Sequence, residues 1–501
     1  MNTPDARDAR SGLSMRIEGF RAFRDSGWFN LRTLTYLVGR NSSGKSSVLT
    51  ALLLLKQTLD TPRRSRDFRI PLNLTGPFCE LGQYSDAVYN HKTSTAICFS
   101  FRLQYPKDPP LQARSGRPLV EIESPSVLRL ERDVLYPSFK PDQLPRSGDV
   151  SMKLTFSYDR QRGPALSEVR VDAGDLGFVV MRGSVSDRDF AYWHVYHTSL
   201  PLRLIEIHQK LNARLPRVSR ARSYRNEPPA VRRQIRQFEN AAAFIADSLE
   251  SVLRMTDVVG PYRPPPDRHY SFSGLDTARN GVAGEQAVSM LLAERLIRPT
   301  RTQRSLNAAV SAWLKHLKLA NEIKVQDLAS RLRLYSLSVA GAGRRGRNSL
   351  ADVGFGVSQV LPILVQGMLM RPGGIFLVQQ PELHLHPDAQ AGLADFFFYL
   401  GAQGVPCIIE THSEYLLLRL RRRLAEGKMH FPTLAGDRQP FRRIDRNDVS
   451  VLLTSPAASG GAGVTELTIS KSLQFESLPK GFMTQALDDR LALLSALASN
   501  D

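Results

Sequence analysis

The sequence has few cysteines and no long apolar segment. Its three cysteines, Cys79, Cys98 and Cys407, form no C-x-x-C pair, which argues against a disulfide framework or a cysteine zinc cluster and favours a reducing compartment. No window holds 18 consecutive apolar residues, and the polar N-terminus lacks the apolar segment of a secretory signal. We therefore expect a cytoplasmic protein with no membrane partner.

Internal repeats and low-complexity tracts are also absent from the sequence. Of the 501 residues, 42% are hydrophobic and 23% are charged, which is typical of a folded globular protein and not of a disordered one. A chain of this length can hold two or three domains and a sizeable buried core.

Acidic residues are scarce relative to basic ones, so the formal net charge is +19. The segment Arg214–Arg236 contains eight arginines and one acid, Glu227. A second basic group comprises Arg344, Arg345 and Arg347. Arginines on one helical face can follow the phosphates of a nucleic acid. A solvated surface or a surface that binds a protein partner explains the same charge equally well.

The most informative motif is a glycine-rich loop, LVGRNSSGKSS at residues 37–47. It fits the pattern G-x-x-x-x-G-K-[ST], and a strand-like apolar run precedes it while a helix-like apolar run follows. Such glycines let backbone N–H groups point at phosphate oxygens, and the helix N-terminus adds its positive dipole. We expect Lys45 to contact the β- and γ-phosphates of ATP and the Ser46 hydroxyl to ligate Mg²⁺. The complete spacing disfavours a plain Gly/Ser turn.

A second glycine-rich segment, LADVGFGVSQVLPILVQGM at residues 350–368, predicts another helix. Gly354, Gly356 and Ser358 are expected just before this helix, with Pro362 in its first turn, where proline is tolerated. A helix N-terminus of this kind can bind an anion. Taken alone, a helix cap without a ligand is the simpler explanation.

Two buried strands end in polar residues. Residues 405–409 predict a strand that leads into His412, which can reach a γ-phosphate or an attacking water or can be a plain capping histidine. Residues 375–387 read IFLVQQPELHLHP and predict a strand that ends in two glutamines. Because His-x-His can ligate zinc, a metal site is an alternative. Its candidate ligands are Glu382, His384, His386, Glu410 and His412.

Together these segments resemble the head domain of ABC-type ATPases related to the SMC and OLD proteins, especially the predicted-ATPase group found in bacterial defence operons. The likeness covers roughly the first 95 residues and most of 255–490, and the basic middle matches poorly. The motifs that carry it are MRIEGFRAF (15–23), GRNSSGKSS (39–47), GPYRPPPDRHY (260–270), DVGFGVSQVLP (352–362), QQPELHLHP (379–387), ETHSEYL (410–416) and LPKGFMTQALDD (478–489), the last of which resembles that group's short C-terminal domain.

The resemblance implies an α/β fold, namely a P-loop ABC-ATPase head that is split in sequence around an inserted, largely helical, basic middle region. The expected divisions are a disordered leader at 1–13, a head N-lobe with the P-loop at 14–104, the inserted strand and helical region at 105–330, a head C-lobe at 331–454, and a small C-terminal domain at 455–501.

The resemblance also implies a role for each matched position. Phosphates and Mg²⁺ would be held by Gly39, Arg40, Asn41, Ser42, Ser43, Gly44, Lys45, Ser46 and Ser47. The signature motif acting across a dimer would comprise Gly354, Gly356, Ser358 and Gln359. His412 would be the switch histidine, and Gln379 and Gln380 would occupy the catalytic strand end, with Gln379 beside Mg²⁺. The same pattern places His384 and His386 in a loop that touches the partner head, which disfavours zinc.

The two glutamines depart from the family pattern, which commonly has an acidic residue on the Mg²⁺ side. A glutamine amide can hold a water but neither accepts its proton nor adds negative charge. One explanation is a Glu→Gln replacement at Gln379 introduced to trap bound ATP, which the near-isosteric change favours. The other is a natural slow hydrolase that uses ATP as a structural clamp.

The function expected from the resemblance is an ATPase whose heads dimerise, or form a higher oligomer, on ATP and gate a partner or effector in anti-phage defence. OLD proteins carry a nuclease domain, but no Asp-x-Asp strand end follows the His412 helix, so we expect an effector supplied in trans. The alternatives are an ATP-clamped scaffold with little hydrolysis and a nucleic-acid-binding ATPase of SMC or repair type.

Overall fold

We describe the fold from a computed structural model of the chain. It covers residues 12–60, 70–104, 149–161, 163–174, 178–185, 191–197, 228–271, 281–296, 305–329, 331, 333–341, 346–428, 431–432, 434, 441–458, 460–476 and 492–493. Several predicted features therefore lie outside the described residues. These are most of the leader (1–11), the basic residues 214–227, Arg344 and Arg345, and the segment 478–489.

The described residues form strands and helices with the following bounds. The strands are β1 (Leu13–Phe20), β2 (Phe23–Asp25), β3 (Phe29–Leu31), β4 (Leu34–Gly39), β5 (Ile97–Gln104), β6 (Asp149–Asp159), β7 (Gly163–Asp172), β8 (Phe178–Val185), β9 (Ala191–His197), β10 (Asp257–Val259), β11 (Tyr270–Ser271), β12 (Glu322–Ala329), β13 (Leu334–Ala340), β14 (Arg347–Ser349), β15 (Phe376–Gln379), β16 (Cys407–Glu410), β17 (Val449–Pro456) and β18 (Ala462–Leu467). The helices are α1 (Lys45–Asp60), α2 (Tyr84–Ala87), α3 (Pro229–Arg254), α4 (Ala287–Leu296), α5 (Leu306–His316), α6 (Phe355–Leu369), α7 (Pro387–Ala402) and α8 (Glu414–Glu426).

A six-stranded sheet forms the centre of the fold. Its strand order is β10-β15-β16-β4-β17-β18. Neighbouring strands from β10 to β17 are parallel, and β18 is antiparallel to β17. Strand β4 from the N-terminal part of the chain therefore lies between β16 and β17 from its C-terminal part. The carboxyl ends of β4, β15 and β16 meet at one edge of this sheet.

Strand β4 is buried on both faces of the sheet. Leu34, Tyr36 and Val38 point into one hydrophobic core, whereas Leu37 points into a second. Side chains alternate along a strand, so an uninterrupted apolar run indicates a strand covered on both sides. This explains why LTYLV reads as continuous hydrophobic sequence.

Helices and a second sheet cover the two faces of the central sheet. The core that contains Tyr36 also receives residues of α4, α5, α6, α7 and α8. The core that contains Leu37 receives α1 and α3 together with β1, β5, β6 and β7. Those strands belong to an antiparallel eight-stranded sheet of order β2-β1-β5-β6-β7-β8-β9, in which β3 pairs with β1. A third sheet has the order β11-β13-β12, with β14 on β13.

Helix α1 is apolar on nearly all sides, as expected of a helix enclosed by other elements. Its one lysine beyond the P-loop, Lys56, is fully buried. The Lys56 Nζ atom donates to the carbonyl oxygens of Leu253 at 3.2 Å and Arg254 at 2.8 Å. A cation at the last carbonyls of a helix is stabilising. Lys56 thus joins the P-loop helix to the carboxyl end of α3.

The middle region contains more strands than the expected, largely helical insert. The segment between 105 and 330 supplies strands β6 to β9 as well as helices, and β10 from this segment lies in the central sheet.

The position of Pro362 differs from the expectation. Helix α6 begins at Phe355, so Pro362 lies in its interior and the expectation of a first-turn proline was wrong. The physical reason is that Gly354 is the N-cap, which starts the helix well before the proline.

None of the described helices is long and apolar enough to cross a membrane. The three cysteines are free thiols.

Candidate functional site

The glycine-rich loop connects β4 to α1 as the sequence predicts. Gly39 and Gly44 have φ values of 146° and 102°, which favour glycine over residues with a side chain. A Cβ on Gly39 would lie 2.5 Å from the carbonyl oxygen of Thr454, so β17 leaves room there for glycine alone. The loop residues Arg40, Asn41 and Ser42 are exposed, whereas Ser47 is buried at the start of α1.

Lys45 lies at the mouth of the loop and is only 4% exposed. Its Nζ atom donates to the carbonyl oxygens of Gly39 at 3.0 Å and Arg40 at 2.7 Å. Burial lowers the pKa of this ammonium below its usual value, while the carboxylates of Glu410 and Glu382 oppose that shift. The loop therefore holds a cation beside a row of backbone N–H groups at a helix N-terminus, which is an arrangement suited to an anion.

Ser46 contacts a carboxylate from a neighbouring strand of the central sheet. Its hydroxyl donates to Oε1 of Glu410 at 2.7 Å. The other oxygen of Glu410, Oε2, accepts from Nε2 of Gln379 at 3.0 Å. Glu410 and Gln379 are direct partners in the register of β15 and β16. Glu410 is 4% exposed, so the site contains a buried carboxylate between the P-loop serine and the predicted catalytic strand end.

Gln380 adopts a left-handed backbone conformation, with φ of 44°. Such a conformation costs free energy for a residue with a side chain and persists only when its surroundings hold it. Here the N–H of Gln380 donates to the carbonyl oxygen of Glu410 at 2.7 Å. From the other side, Nη2 of Arg263 donates to the carbonyl oxygens of Gln379 at 2.8 Å and Gln380 at 3.3 Å.

Arg263 belongs to the GPYRPPPDRHY segment and is 7% exposed. Burial lowers the pKa of its guanidinium to about 10, and the Glu382 carboxylate opposes that shift. Its Nε and Nη1 atoms are buried without a hydrogen-bond partner among the described residues. The carbonyl oxygen of Arg263 in turn accepts from Nε2 of Gln359 at 3.4 Å. This arginine thus connects the predicted signature segment to the strand end at Gln379.

Glu382 connects the same strand end to the switch-histidine loop. Its Oε1 atom accepts from the backbone N–H of His412 at 2.6 Å. Burial raises the pKa of Glu382 above its usual value, and its hydrogen bonds and Arg263 oppose the shift. The Oε2 atom has no hydrogen-bond partner in the described part of the chain.

His412 lies near Lys45 of the P-loop, and the charge of this lysine affects its pKa. His412 is exposed at the surface, but partial burial lowers its pKa, the positive charge of Lys45 lowers that pKa further, and Glu410 opposes both effects. A neutral imidazole is therefore favoured at neutral pH. In this form one ring nitrogen can accept a hydrogen bond and the other can donate one.

The predicted signature residues form the N-terminus of α6. Ser358 and Gln359 are each 6% exposed, and the Ser358 hydroxyl donates to the carbonyl oxygen of Phe355 at 2.9 Å. Gly354 is exposed, and a Cβ on it would meet nothing within 4 Å. Phe355, which the sequence analysis did not single out, is 64% exposed. This segment therefore exposes Gly354 and Phe355 to solvent, whereas the Ser358 side chain is buried.

His384 and His386 have structural surroundings that differ from a metal site. Both side chains are exposed. The Nδ1 atom of His386 accepts from the N–H of Asp388 at 3.4 Å and caps α7, and the ring of His384 lies 6.1 Å from that of Phe355. Within the described ranges, no three histidine, cysteine, aspartate or glutamate side chains are grouped to hold a metal.

Of the predicted basic segment, the structure describes Arg232, Arg233 and Arg236 in the first turns of α3. Arg233 and Arg236 are exposed and Arg232 is half-buried. Arg347, from the second basic group, forms an ion pair with Glu322. Nucleic-acid binding by these segments stays a prediction.

The structure thus brings together Lys45, Ser46, Gln379 and His412 from three separate segments, as the family resemblance implied. It adds two residues to which the sequence analysis assigned no role at the phosphate site, Glu410 and Arg263. In the sequence, Glu410 stands out only as the polar residue that ends a predicted strand, and its pairing with Gln379 is visible only in the structure. Arg263 gave no signal beyond its place in a matched segment.

Comparison with protein families matches residues 184–419 to the family described as "AAA domain, putative AbiEii toxin, Type IV TA system". The match includes the signature segment, both glutamines and His412, and it does not include the P-loop. It covers less than half of the chain. Residues 184–419 are therefore similar to an AAA-type ATPase domain. A comparison with curated proteins finds no significant match.

Solved structures similar to the chain include three SMC head domains, each 9% identical in sequence. One is an SMC head bound to the C-winged helix domain of ScpA (92% of this chain and 98% of that chain, TM-score 0.41). The others are the SMC head from Thermotoga maritima (91% and 99%, TM-score 0.34) and the Pyrococcus furiosus SMC head with an extended coiled coil bound to the C-terminal domain of ScpA (97% and 100%, TM-score 0.39). TM-scores below 0.5 do not establish a common fold.

Proposed function

We propose that this protein is an ATP-binding, ABC-like ATPase whose heads dimerise on ATP to gate a partner or effector. The observation that supports this most directly is the gathering of Lys45, Ser46, Glu410 and His412 at the carboxyl edge of a parallel sheet. Ligands of open α/β sheets bind at this edge. The match of residues 184–419 to an AAA domain supports the same reaction class.

The P-loop residues have the chemistry to hold a triphosphate. The first N–H groups of a helix have no partner within the helix, and Lys45 adds a buried positive charge at the start of α1. Phosphate oxygens can replace the Gly39 and Arg40 carbonyl oxygens as acceptors for the Lys45 ammonium. The Ser46 hydroxyl and the Glu410 carboxylate are oxygen donors of the kind Mg²⁺ prefers, so the residues fit this ion. When bound, Mg²⁺ neutralises phosphate charge during transfer.

His412 is suited to orient the attacking water. Because a lowered pKa favours the neutral ring, His412 can accept a hydrogen bond from water or donate one to a phosphate oxygen. Glu382 fixes the backbone of this residue through the 2.6 Å contact to its N–H. Glu382 therefore acts on the position of the ring and does not contact the reacting atoms.

Dimerisation is proposed through the N-terminus of α6. Its exposed Gly354 and Phe355 form the part of the signature segment that a second head can contact. A helix N-terminus there can contribute its dipole to a phosphate held by the partner head. We extend the proposal to bacterial defence with an effector in trans; the family description, a putative toxin of a toxin–antitoxin system, bears on the defence role and not on the effector.

A scaffold that binds ATP with little hydrolysis is a second candidate. It is favoured by the amides at Gln379 and Gln380, which cannot act as a general base. In this case ATP would act as a clamp that assembles the heads with a partner.

Nucleotide binding and self-association test the proposal on the full chain. We expect ATP with Mg²⁺ to raise the melting temperature and to shift the protein from monomer to dimer in analytical ultracentrifugation. Lys45→Ala should lose both effects, because it removes the buried cation. Lys315→Ala, at an exposed lysine of α5, should retain them. No change in mass or melting temperature with ATP for the unmodified chain would refute the proposed function.

Steady-state ATP turnover separates an ATPase from a scaffold. An ATPase should release phosphate in an ATP-dependent and Lys45-dependent manner, and a scaffold should dimerise without doing so. Turnover of Gln379→Glu measured beside the unmodified chain shows whether position 379 limits hydrolysis. Equal rates would mean that this position is not the critical acid.

A further inference from the structure

Glu410 is the carboxylate nearest to the P-loop serine, yet no sequence motif assigns it a role at the phosphate site. It ends β16, and its register partners are Gln379 on β15 and Leu37 on β4. The strand that carries the P-loop and the strand that carries the glutamines therefore flank it directly. This position in the sheet, and not closeness in sequence, places its side chain beside α1.

Both oxygens of Glu410 are engaged by residues of the proposed nucleotide site. Oε1 accepts from the Ser46 hydroxyl at 2.7 Å, and Oε2 accepts from the Gln379 amide at 3.0 Å. The side chain is 4% exposed. A buried carboxylate is costly unless it is hydrogen-bonded or bound to a cation, and here Gln379 supplies one of the two donors.

An acid and an amide are thus complementary across neighbouring strands. An amide N–H at position 379 can donate to a carboxylate, whereas a second carboxylate there would repel it. Gln379 is therefore the residue type that orients Glu410 towards Ser46. Mg²⁺ at phosphate sites is commonly held by one or two carboxylates together with phosphate oxygens and waters.

We propose that Glu410 supplies the negative charge on the Mg²⁺ side of the nucleotide site, in place of an acid at position 379, and that Gln379 positions its carboxylate. This inference rests on the proposed binding of ATP at the P-loop. In this arrangement Gln379 needs no explanation as an introduced Glu→Gln replacement, because the adjacent strand β16 carries the acid.

Manganese binding measured by electron paramagnetic resonance tests the proposal without relying on turnover. The full chain is saturated with ATP and titrated with Mn²⁺ as the probe for Mg²⁺. Glu410→Gln should weaken the Mn²⁺ affinity of the protein–ATP complex by about 10- to 100-fold. Glu414→Gln makes the same chemical change four residues later in the first turn of α8, and should leave the affinity unchanged.

A second variant guards against a loss caused by misfolding. The exchange Gln379→Glu/Glu410→Gln keeps one acid and one amide in the pair, and it should recover part of the Mn²⁺ affinity lost in Glu410→Gln. Binding of a fluorescent ATP analogue in EDTA serves as the check on the phosphate loop, and Glu410→Gln should retain it.

The outcomes separate the inference from the proposed function. Failure of the unmodified chain to bind the ATP analogue would overturn the proposed function, and this inference with it. Normal ATP binding by Glu410→Gln with unchanged Mn²⁺ affinity would overturn the role of Glu410 alone. An equal loss in Glu414→Gln would show that the effect is not specific to the site, and would overturn it as well.

Discussion

Gln379 and Glu410 illustrate how one hydrogen bond sets the chemistry of a strand end. The amide of Gln379 donates to Oε2 of Glu410 at 3.0 Å, while Ser46 donates to Oε1. Both donors are neutral groups that stabilise a buried carboxylate. Gln379→Glu would therefore add a second negative charge beside Glu410, which is 4% exposed.

We expect Gln379→Glu to destabilise the protein in the absence of Mg²⁺ and ATP. The change removes the donor and places two carboxylates at hydrogen-bond distance, at a cost of about 1–3 kcal/mol at pH 8. In the variant one carboxyl of the pair then has a raised pKa. The free energy of unfolding of the variant therefore decreases as pH rises through that pKa. The difference from the unmodified chain should shrink at pH 5 and on addition of Mg²⁺ with ATP.

Urea denaturation followed by circular dichroism measures this difference. The matched control is Gln234→Glu, which makes the same change at an exposed position of α3 and should leave the free energy of unfolding nearly unchanged. If Gln379→Glu proves as stable as the control at pH 8, the Gln379–Glu410 hydrogen bond does not exist in solution.

Glu382 gives a prediction with a defined pH dependence. Burial raises its pKa above the usual value of 4.5 in the folded protein. The folded state therefore holds the proton more tightly than the unfolded state. The contribution of Glu382 to stability is fully present below pH 4.5 and is lost as pH rises through the raised pKa.

The variant Glu382→Gln removes this titration and can still accept from the His412 N–H. We expect its stability relative to the unmodified chain to increase from pH 5 to pH 8. Free energies of unfolding from urea titrations at several pH values check this, with Glu414→Gln as the control. A difference that does not vary with pH would indicate that Glu382 stays ionised, supported by the nearby Arg263.

At the scale of elements, a buried cluster of charged side chains joins helices α5, α7 and α8. Asp395 of α7 is 1% exposed. It accepts from Arg423 of α8 at 2.5 and 2.9 Å, from Arg419 of α8 at 2.7 Å, and lies 3.2 Å from Nε2 of His316 on α5. Burial alone would raise the pKa of Asp395, but its hydrogen bonds from Arg423 and His316 lower it overall. Helices α7 and α8 follow the two strand ends of the site, so this cluster fixes their relative position.

We expect Asp395→Asn to destabilise the protein by about 3–5 kcal/mol, because it removes the buried carboxylate that pairs with Arg419 and Arg423 and leaves Arg423 only its second partner, Glu426. The matched control is Asp352→Asn, which breaks the exposed ion pair between Asp352 and Arg268. Exposed pairs contribute about 1 kcal/mol or less. Thermal and urea unfolding measure both variants, and equal effects would contradict the importance of the buried cluster.

At the scale of the whole molecule, the proposed dimer surface includes an exposed aromatic residue beside a helix N-terminus. Phe355 is 64% exposed and lies next to His384. Its replacement should cost little within one chain because its side chain buries little surface there. In an ATP-bound dimer the same side chain would be enclosed by the second head.

We therefore expect Phe355→Asp to abolish ATP-dependent dimerisation while ATP still raises the melting temperature of the monomer. Leu328→Asp, at a 47% exposed position on β12, is the control and should dimerise normally. Sedimentation equilibrium with and without ATP and Mg²⁺ distinguishes the two. A dimer that survives Phe355→Asp would place the interface elsewhere on the molecule.

Local patterns were enough to predict the elements that surround the site. The apolar run after the P-loop predicted α1, the run at 375–379 predicted β15, and the run at 405–409 predicted β16; the structure confirms all three. Each of these elements is a run of mostly apolar residues that the sequence displays directly. The start of α6 was misjudged because its cap is a glycine, which offers no side-chain signal.

Contacts between segments distant in sequence were harder to predict. Ser46 and Glu410 are 364 positions apart, and Arg263 reaches Gln379 from 116 positions away. Such pairs depend on the order of strands in the sheet, and β4 is inserted between β16 and β17. No local pattern records that order, so the sequence could not show which carboxylate meets the P-loop serine.

The amino-acid sequence alone determined the phosphate loop, because its backbone conformation depends on glycines at a fixed spacing between a buried strand and a helix. It also determined the apolar strands that lead to Gln379 and Glu410. Only the tertiary structure decided that these two residues lie side by side, because that requires β15 and β16 to be parallel neighbours with residues 379 and 410 in register. The sequence showed that position 379 lacks an acid, whereas the sheet decided that the carboxylate of Glu410 lies beside it.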